Sequence, residues 1–88
     1  MYYVYIITNT KTGRLYIGYT ENLKRRLLEH EQGKTKSTTQ NKWILTYYEA
    51  YLSKEDATQR EWDLKHQGRQ RDFIKKKIQV SHNFGPIV

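Results

Sequence analysis

Tyr2-Tyr3-Val4-Tyr5-Ile6-Ile7-Thr8, then Asn9-Thr10-Lys11-Thr12-Gly13, then Arg14-Leu15-Tyr16-Ile17-Gly18-Tyr19: here runs of β-branched and aromatic residues flank a segment of turn chemistry. Such runs favour extended backbone, and Asn and Gly between them supply the reversal, so the segment predicts an antiparallel hairpin. Side chains alternate between the faces of a strand, which sets Tyr3 and Tyr5 on one side of the first run and Val4 and Ile6 on the other. The hairpin can then bring Tyr5 and Tyr16 together.

Working outward, Thr20 is placed to cap a helix from about Glu21 to Gln32, with Leu23, Leu27 and Leu28 as its apolar positions and Gly33 as its stop. Residues 33–42 are polar and basic without a period and read as a loop. Trp43–Tyr51 predicts a third strand. Ser53-Lys54-Glu55-Asp56 resembles a capping box ahead of a helix that ends near Gly68, with Ala57, Trp62 and Leu64 as its apolar positions. A short helix around Arg71–Ile78, with Phe73, Ile74 and Ile78 inward, closes the core. Residues 1–80 are expected to form a single α/β domain, with 81–88 as a C-terminal tail.

Length and composition narrow the possibilities. A chain of 88 residues supports one small core. With no cysteine, neither disulfides nor thiolate metal sites are available, and stability must come from burial of aromatic and aliphatic side chains. The N-terminus has no basic leader and no apolar run approaches the ~20 residues that cross a bilayer, so a soluble, cytoplasmic protein without membrane partners is expected. Sixteen Lys and Arg against nine Asp and Glu leave a net charge of +7. On so small a body this favours polyanionic partners, although net charge also serves solubility alone.

Tyr3-Val4-Tyr5 and Tyr16-Ile17-Gly18, followed by Asn22-Leu23, Arg26, His30 and a later Arg60-Glu61-Trp62, resemble the paired motif and downstream residues of the GIY-YIG nuclease family, particularly its small stand-alone bacterial members. The resemblance covers nearly the whole chain. It implies a GIY-YIG fold, a small three-stranded antiparallel sheet flanked by helices in the order β-β-α-β-α-α. The first triplet departs from the family pattern in having Tyr3 where a glycine is usual.

The resemblance also implies an activity: a metal-dependent endonuclease that hydrolyses DNA phosphodiester bonds with one metal ion, in repair or recombination. Tyr16 would activate water, Tyr5 support it, Arg26 stabilise charge on the phosphate and His30 assist, with Gly18 as a structural member of the motif. An unperturbed phenol has a pKa of ~10, so neighbouring cations are needed to favour its ionised form. Spacing places Leu23, Arg26, Leu27 and His30 on one helical stripe, where by spacing alone Arg26 reads as a packed stem with its head in water and His30 as a cation at a helix C-terminus. Glu61, four after Ala57 and three before Leu64, lies on the core-facing side of its helix and needs a partner. That partner is a basic side chain such as Arg26 or, by resemblance, Mg²⁺ or Mn²⁺ bound weakly without nucleic acid, since Mg²⁺ keeps most of its waters. Tyr5, Tyr16, Arg26 and Glu61 are then expected to line one concave surface.

Lys24, Arg25, Lys34, Lys36 and Lys42 are candidates for phosphate contacts, and Arg69, Arg71, Lys75, Lys76 and Lys77 form a second basic cluster that reads equally as a solvated face. DNA is the expected partner with RNA left open, and a monomer is expected. The alternative is a catalytically inactive nucleic-acid-binding module with the same fold.

Overall fold

The computed structural model describes residues 1–31 and 43–83. Strands β1 (Tyr2–Asn9), β2 (Leu15–Thr20) and β3 (Trp43–Tyr51) and helices α1 (Leu23–Glu31), α2 (Lys54–His66) and α3 (Gly68–Asn83) follow in the order β1-β2-α1-β3-α2-α3. The sheet is antiparallel with strand order β2-β1-β3. The expected architecture is therefore the observed one.

The hairpin turn is held by Asn9. Its buried side-chain oxygen accepts from the amides of Lys11 (2.8 Å) and Thr12 (3.0 Å), and its carbonyl accepts from Gly13 (2.9 Å). Gly13 has φ +75°, a conformation that costs a residue without a Cβ little.

The central strand β1 is buried on both faces. Val4 and Ile6 meet Ile17, Ala57, Leu64, Ile74 and Ile78, so α2 and α3 cover this side. Each of these Val, Ile and Leu side chains contributes roughly 1.5–3 kcal/mol through burial. Tyr5 and Ile7 point to the opposite face and are also buried. Tyr5 meets His30 of α1 there.

On β3 an extra residue, Thr46, falls between the pairs Ile6↔Tyr47 and Ile7↔Leu45. Its hydroxyl donates to the Ile6 carbonyl (3.2 Å) and shares a hydrogen bond with Thr8 (2.8 Å), which satisfies the interrupted ladder. This bulge puts Leu45 and Tyr48 on the α1 side and Tyr47, Glu49 and Tyr51 on the α2 side.

Several boundaries and faces differ from expectation. Asn22, not Thr20, caps α1: its side chain accepts from the Arg25 amide (3.0 Å), so the helix starts at Leu23 and Glu21 precedes it. Thr20 instead exchanges hydrogen bonds with the backbone of Asn22, fixing the bend before the cap. The break after α2 falls at Gln67, which is extended, while Gly68 opens a third helix longer than Arg71–Ile78. Leu28, Trp62 and Phe73 are exposed rather than packed inward. Ala57 and Leu64 define one stripe and Ile74 and Ile78 another; Trp62 and Phe73 lie a large rotation away from them at 100° per residue. Trp62 stacks on His66 (4.5 Å), and Lys77 sits over the Phe73 ring (4.8 Å).

Candidate active site

Sheet register assembles the centre. Tyr5 pairs with Gly18 across β1 and β2, and Ile7 pairs with Tyr16, so the two tyrosines share the α1 face one step apart along the hairpin. Their ring centroids are 6.4 Å apart. Gly18 is required here by close approach: a Cβ at this position would come within 2.4 Å of Tyr5 Cζ and Oη. The Tyr5 ring lies over the space that a side chain would fill.

Helix α1 supplies the rest. The Tyr5 hydroxyl is 2.8 Å from His30 Nε2, and Arg26 Nε donates to the same hydroxyl at 3.2 Å. His30 is buried and its ring meets Tyr16 edge-on at 5.0 Å. The guanidinium cannot accept, so it uses a lone pair of the phenol and leaves the phenolic proton for a neutral His30. Burial, reinforced by Arg26, pulls His30 below its ordinary value, so the ring is neutral near pH 7. Burial pushes Tyr5 up to about 12 despite the opposing hydrogen bond and charge of Arg26. Tyr5 is thus a neutral phenol that positions Arg26 rather than a base. The hydrogen bond to Tyr5 in turn holds Arg26 above its ordinary value, with Tyr16 adding to the effect.

Arg26 remains available to an anion. Beyond its bond to Tyr5, its terminal nitrogen meets Glu29 only at 3.7 Å, and the side chain is 31% exposed. Trp43 stands edge-on to Tyr16 at 6.5 Å and walls the other side. Glu29 and Trp43 were not singled out in the sequence; the i,i+3 spacing from Arg26 was the available signal for Glu29, whereas Trp43 needed the β3 register.

The fourth expected member comes from α2 rather than α1. Glu61 lies on α2, whose Ala57 and Leu64 pack on the opposite face of the sheet, and its carboxylate pairs with Lys65 at 3.1 Å rather than with Arg26. Its charge is nevertheless felt by the phenols of both Tyr5 and Tyr19. Tyr19 is raised first by burial and then by Glu21, Tyr2, Glu55 and Glu61, and its hydroxyl, shielded from solvent, has no hydrogen-bond partner among the described residues. The Glu61 side chain is 24% exposed, and a single carboxylate suits a hard cation only where the ion keeps most of its waters. Among the described residues no three His, Asp or Glu side chains gather as a dedicated cage.

Of the expected phosphate contacts, Lys24 and Arg25 are exposed on α1, Arg25 meeting Glu29 at 3.8 Å. Lys34, Lys36 and Lys42 lie outside the described residues. The second basic cluster is exposed on α3. Among the described residues no helix is long and apolar enough to cross a membrane.

Comparison with known proteins gives one consistent answer. A UPF0213 protein of Lacticaseibacillus paracasei is 39% identical over 75 residues, covering 83% of each chain. The UPF0213 protein SH2523 of Staphylococcus haemolyticus is 38% identical over 72 residues, 80% of this chain and 87% of that one. Among solved structures, the solution NMR structure of the UPF0213 protein BH0048 from Bacillus halodurans matches with a TM-score of 0.53 and 36% identity, covering 98% of this chain and 89% of that one. The sequence model of the GIY-YIG catalytic domain matches residues 1–77. With both tyrosines of the paired motif facing α1 over Gly18, and the match running through α2 into α3, the chain belongs to the GIY-YIG family.

Proposed function

We propose that this chain is a metal-dependent endonuclease hydrolysing DNA phosphodiester bonds. The observation that carries the reading is Arg26, held through Nε by a neutral, buried Tyr5, with its guanidinium also near Tyr16 and one terminal nitrogen 3.7 Å from Glu29, the side chain 31% exposed. A guanidinium fixed at Nε and only loosely paired beyond it is preorganised for a phosphate oxygen.

In the hydrolysis, the Tyr16 hydroxyl orients a water against phosphorus. As the water oxygen bonds to phosphorus and its proton passes to solvent, the bridging P–O bond breaks, the leaving oxygen takes up a proton from solvent, and the negative charge that grows on the nonbridging oxygens is met by Arg26. His30 takes the hydrogen bond of Tyr5 and so fixes the phenol that fixes Arg26. Glu61 would hold Mg²⁺ or Mn²⁺, and the bound ion would supply positive charge to the phosphate and the leaving oxygen. Lys65 is a weak competitor for that carboxylate, because a half-exposed i,i+4 pair is worth about 0.3–0.5 kcal/mol.

The test is cleavage of single-stranded, duplex, flap and junction DNA with Mg²⁺ or Mn²⁺, with Glu61→Gln prepared in parallel. Glu61→Gln should abolish cleavage and leave both DNA binding and melting temperature close to wild type. Binding of both proteins should weaken with salt along a log–log slope of about −0.9 per phosphate neutralised on duplex DNA. A large loss of melting temperature with full specific activity per folded molecule would show Glu61 to be structural. Salt-sensitive binding with no cleavage under any metal would support the inactive binding module.

A further inference from the structure

Beside the phenol cluster runs a groove that the proposed chemistry does not use. It has a volume of about 490 Å³ and lies between the start of α1 and the outer part of the sheet, lined by Tyr3, Tyr48, Leu23, Leu27, Lys24 and Glu21 among others. Tyr48 sits directly opposite Tyr5 across β1 and β3. The groove thus borders the strand that carries Tyr5. Tyr3 occupies the place where the paired motif usually has glycine, so the groove has an aromatic wall that a glycine would not provide.

The chemistry of this groove is aromatic above apolar with a cation at the rim. The Tyr3 and Tyr48 rings are 6.3 Å apart and tilted by 60°, so they do not stack on each other. Tyr48 is 54% exposed, which leaves its ring accessible to a third flat group. Leu23 and Leu27 contribute apolar surface. Lys24 offers a charge to a phosphate, and Glu21 disfavours one on its own side. In a duplex the faces of the bases are covered by their neighbours; only an unpaired base offers its face to an aromatic side chain.

We propose that this groove is a stacking subsite for one unpaired DNA base, adjoining the phosphate held at Arg26. The substrate is then single-stranded or locally unpaired DNA rather than continuous duplex. The assignment rests on the nuclease reading for its neighbouring phosphate, but base stacking is measurable without cleavage.

The experiment compares the full chain with Tyr48→Ala and Tyr48→Phe. Binding is measured in the absence of divalent metal, by fluorescence anisotropy on a single-stranded oligonucleotide and on its blunt duplex. A 2-aminopurine reporter in the single strand reads stacking directly. Wild type should prefer the single strand. Tyr48→Ala should weaken that complex on the order of tenfold or more and relieve 2-aminopurine quenching, since a stacked base is worth about 1–3 kcal/mol. Duplex binding should not change, and Tyr48→Phe, which keeps the ring, should behave as wild type. Equal losses on both DNAs, or no loss on the single strand, overturn the subsite.

Cleavage with Mg²⁺ then separates the two readings. Tyr48-dependent single-strand binding without cleavage upholds the subsite and overturns the nuclease, whereas cleavage indifferent to Tyr48 and to base pairing does the reverse. Failure to bind either DNA overturns both.

Discussion

The two faces of the sheet carry nearly the same set of polar side chains put to opposite ends. On the α1 face Tyr5, Tyr16, Arg26 and His30 gather with one carboxylate, Glu29, at the longer distance of 3.7 Å from Arg26. On the α2 face Tyr47, Tyr51 and Arg60 converge on Glu49. Both phenols donate to it at 2.6 Å, and Arg60 reaches it through Nε at 2.9 Å and a terminal nitrogen at 3.2 Å. The remaining terminal nitrogen of Arg60 donates to Gln70 of α3. Burial alone would push Glu49 up, but the hydrogen bonds from Arg60, Tyr47 and Tyr51 outweigh it and hold the carboxyl below its ordinary range. Every guanidinium nitrogen of Arg60 is used, so this cluster is a closed bolt joining β3, α2 and α3. Arg26 has only the longer contact with Glu29 at 3.7 Å, and an arginine with loosely used donors over buried phenols is arranged for a phosphate. The difference between scaffold and site is how tightly each arginine is held by its carboxylate, at 2.9 Å in one and 3.7 Å in the other.

Substituting each arginine breaks the comparison most directly. Arg26→Ala should reduce cleavage by about 10²–10³, the scale of removing one preorganised donor to developing charge, with little change in melting temperature. Arg60→Ala should leave cleavage per folded molecule intact but cost about 3 kcal/mol of unfolding free energy, because it strands the mostly buried Glu49. Nicking kinetics and urea unfolding on the same preparations check both. If Arg26→Ala instead loses stability as Arg60→Ala does, the α1 cluster is a second bolt rather than a site.

The open cluster was largely legible in the sequence and the closed one was not. Tyr5, Tyr16 and Gly18 sit on a hairpin whose register follows from a local turn, and Arg26 and His30 share a face of the next helix at i,i+4. These are short-range periodicities. Glu49 meets Arg60 only because the bulge at Thr46 decides which β3 side chains face the helices, and simple alternation through Trp43–Tyr51 does not reveal that shift. The same reason hid Tyr48 beside Tyr5. Trp62 and Phe73 were misassigned because their apolarity outweighed their angle on helices whose buried stripes are set by Ala57 and Leu64, and by Ile74 and Ile78. The pairing of Glu61 with Lys65 was available from i,i+4 spacing, but the contact is local to α2 and says nothing about the distance to Tyr16.

A smaller effect is expected from filling the gap that admits Tyr5. Gly18→Ala places a methyl group against the phenol, and the ring must leave Arg26 and His30 or the hairpin must open. Overpacking of this kind costs about 1–3 kcal/mol. Because the displaced group positions Arg26, cleavage should fall together with stability. Alanine at Gly13, where nothing lies within 4 Å, should lower stability through its positive φ without touching cleavage. Parallel melting and nicking of the two variants separates the crowded glycine from the merely bent one.

The smallest expected effect distinguishes the clusters by pH. His30, facing Tyr5, Tyr16, Arg26 and Glu29, is held below its ordinary 6.5 in the folded protein, first by burial and then by Arg26, with Glu29 opposing. On acidification the unfolded chain takes up this proton first. Stability is therefore complete above about pH 6.5 and declines as pH falls from there through the lower folded value. Glu49 has the opposite charge type and a lower window. Its folded value lies below the ordinary 4.5, so its contribution is present above that pH and is lost as pH falls through the depressed value. Unfolding free energy measured from pH 7 to 3 should show two separate losses. His30→Gln should remove the first, leaving the protein flat between pH 7 and 5, and leave the second in place; Glu49→Gln should lower stability at pH 7 and diminish the second, to which the exposed Glu55, also held below its ordinary value, contributes the remainder. A profile of His30→Gln that still falls between pH 6.5 and 5 would mean that the buried histidine of the open cluster is not what titrates there.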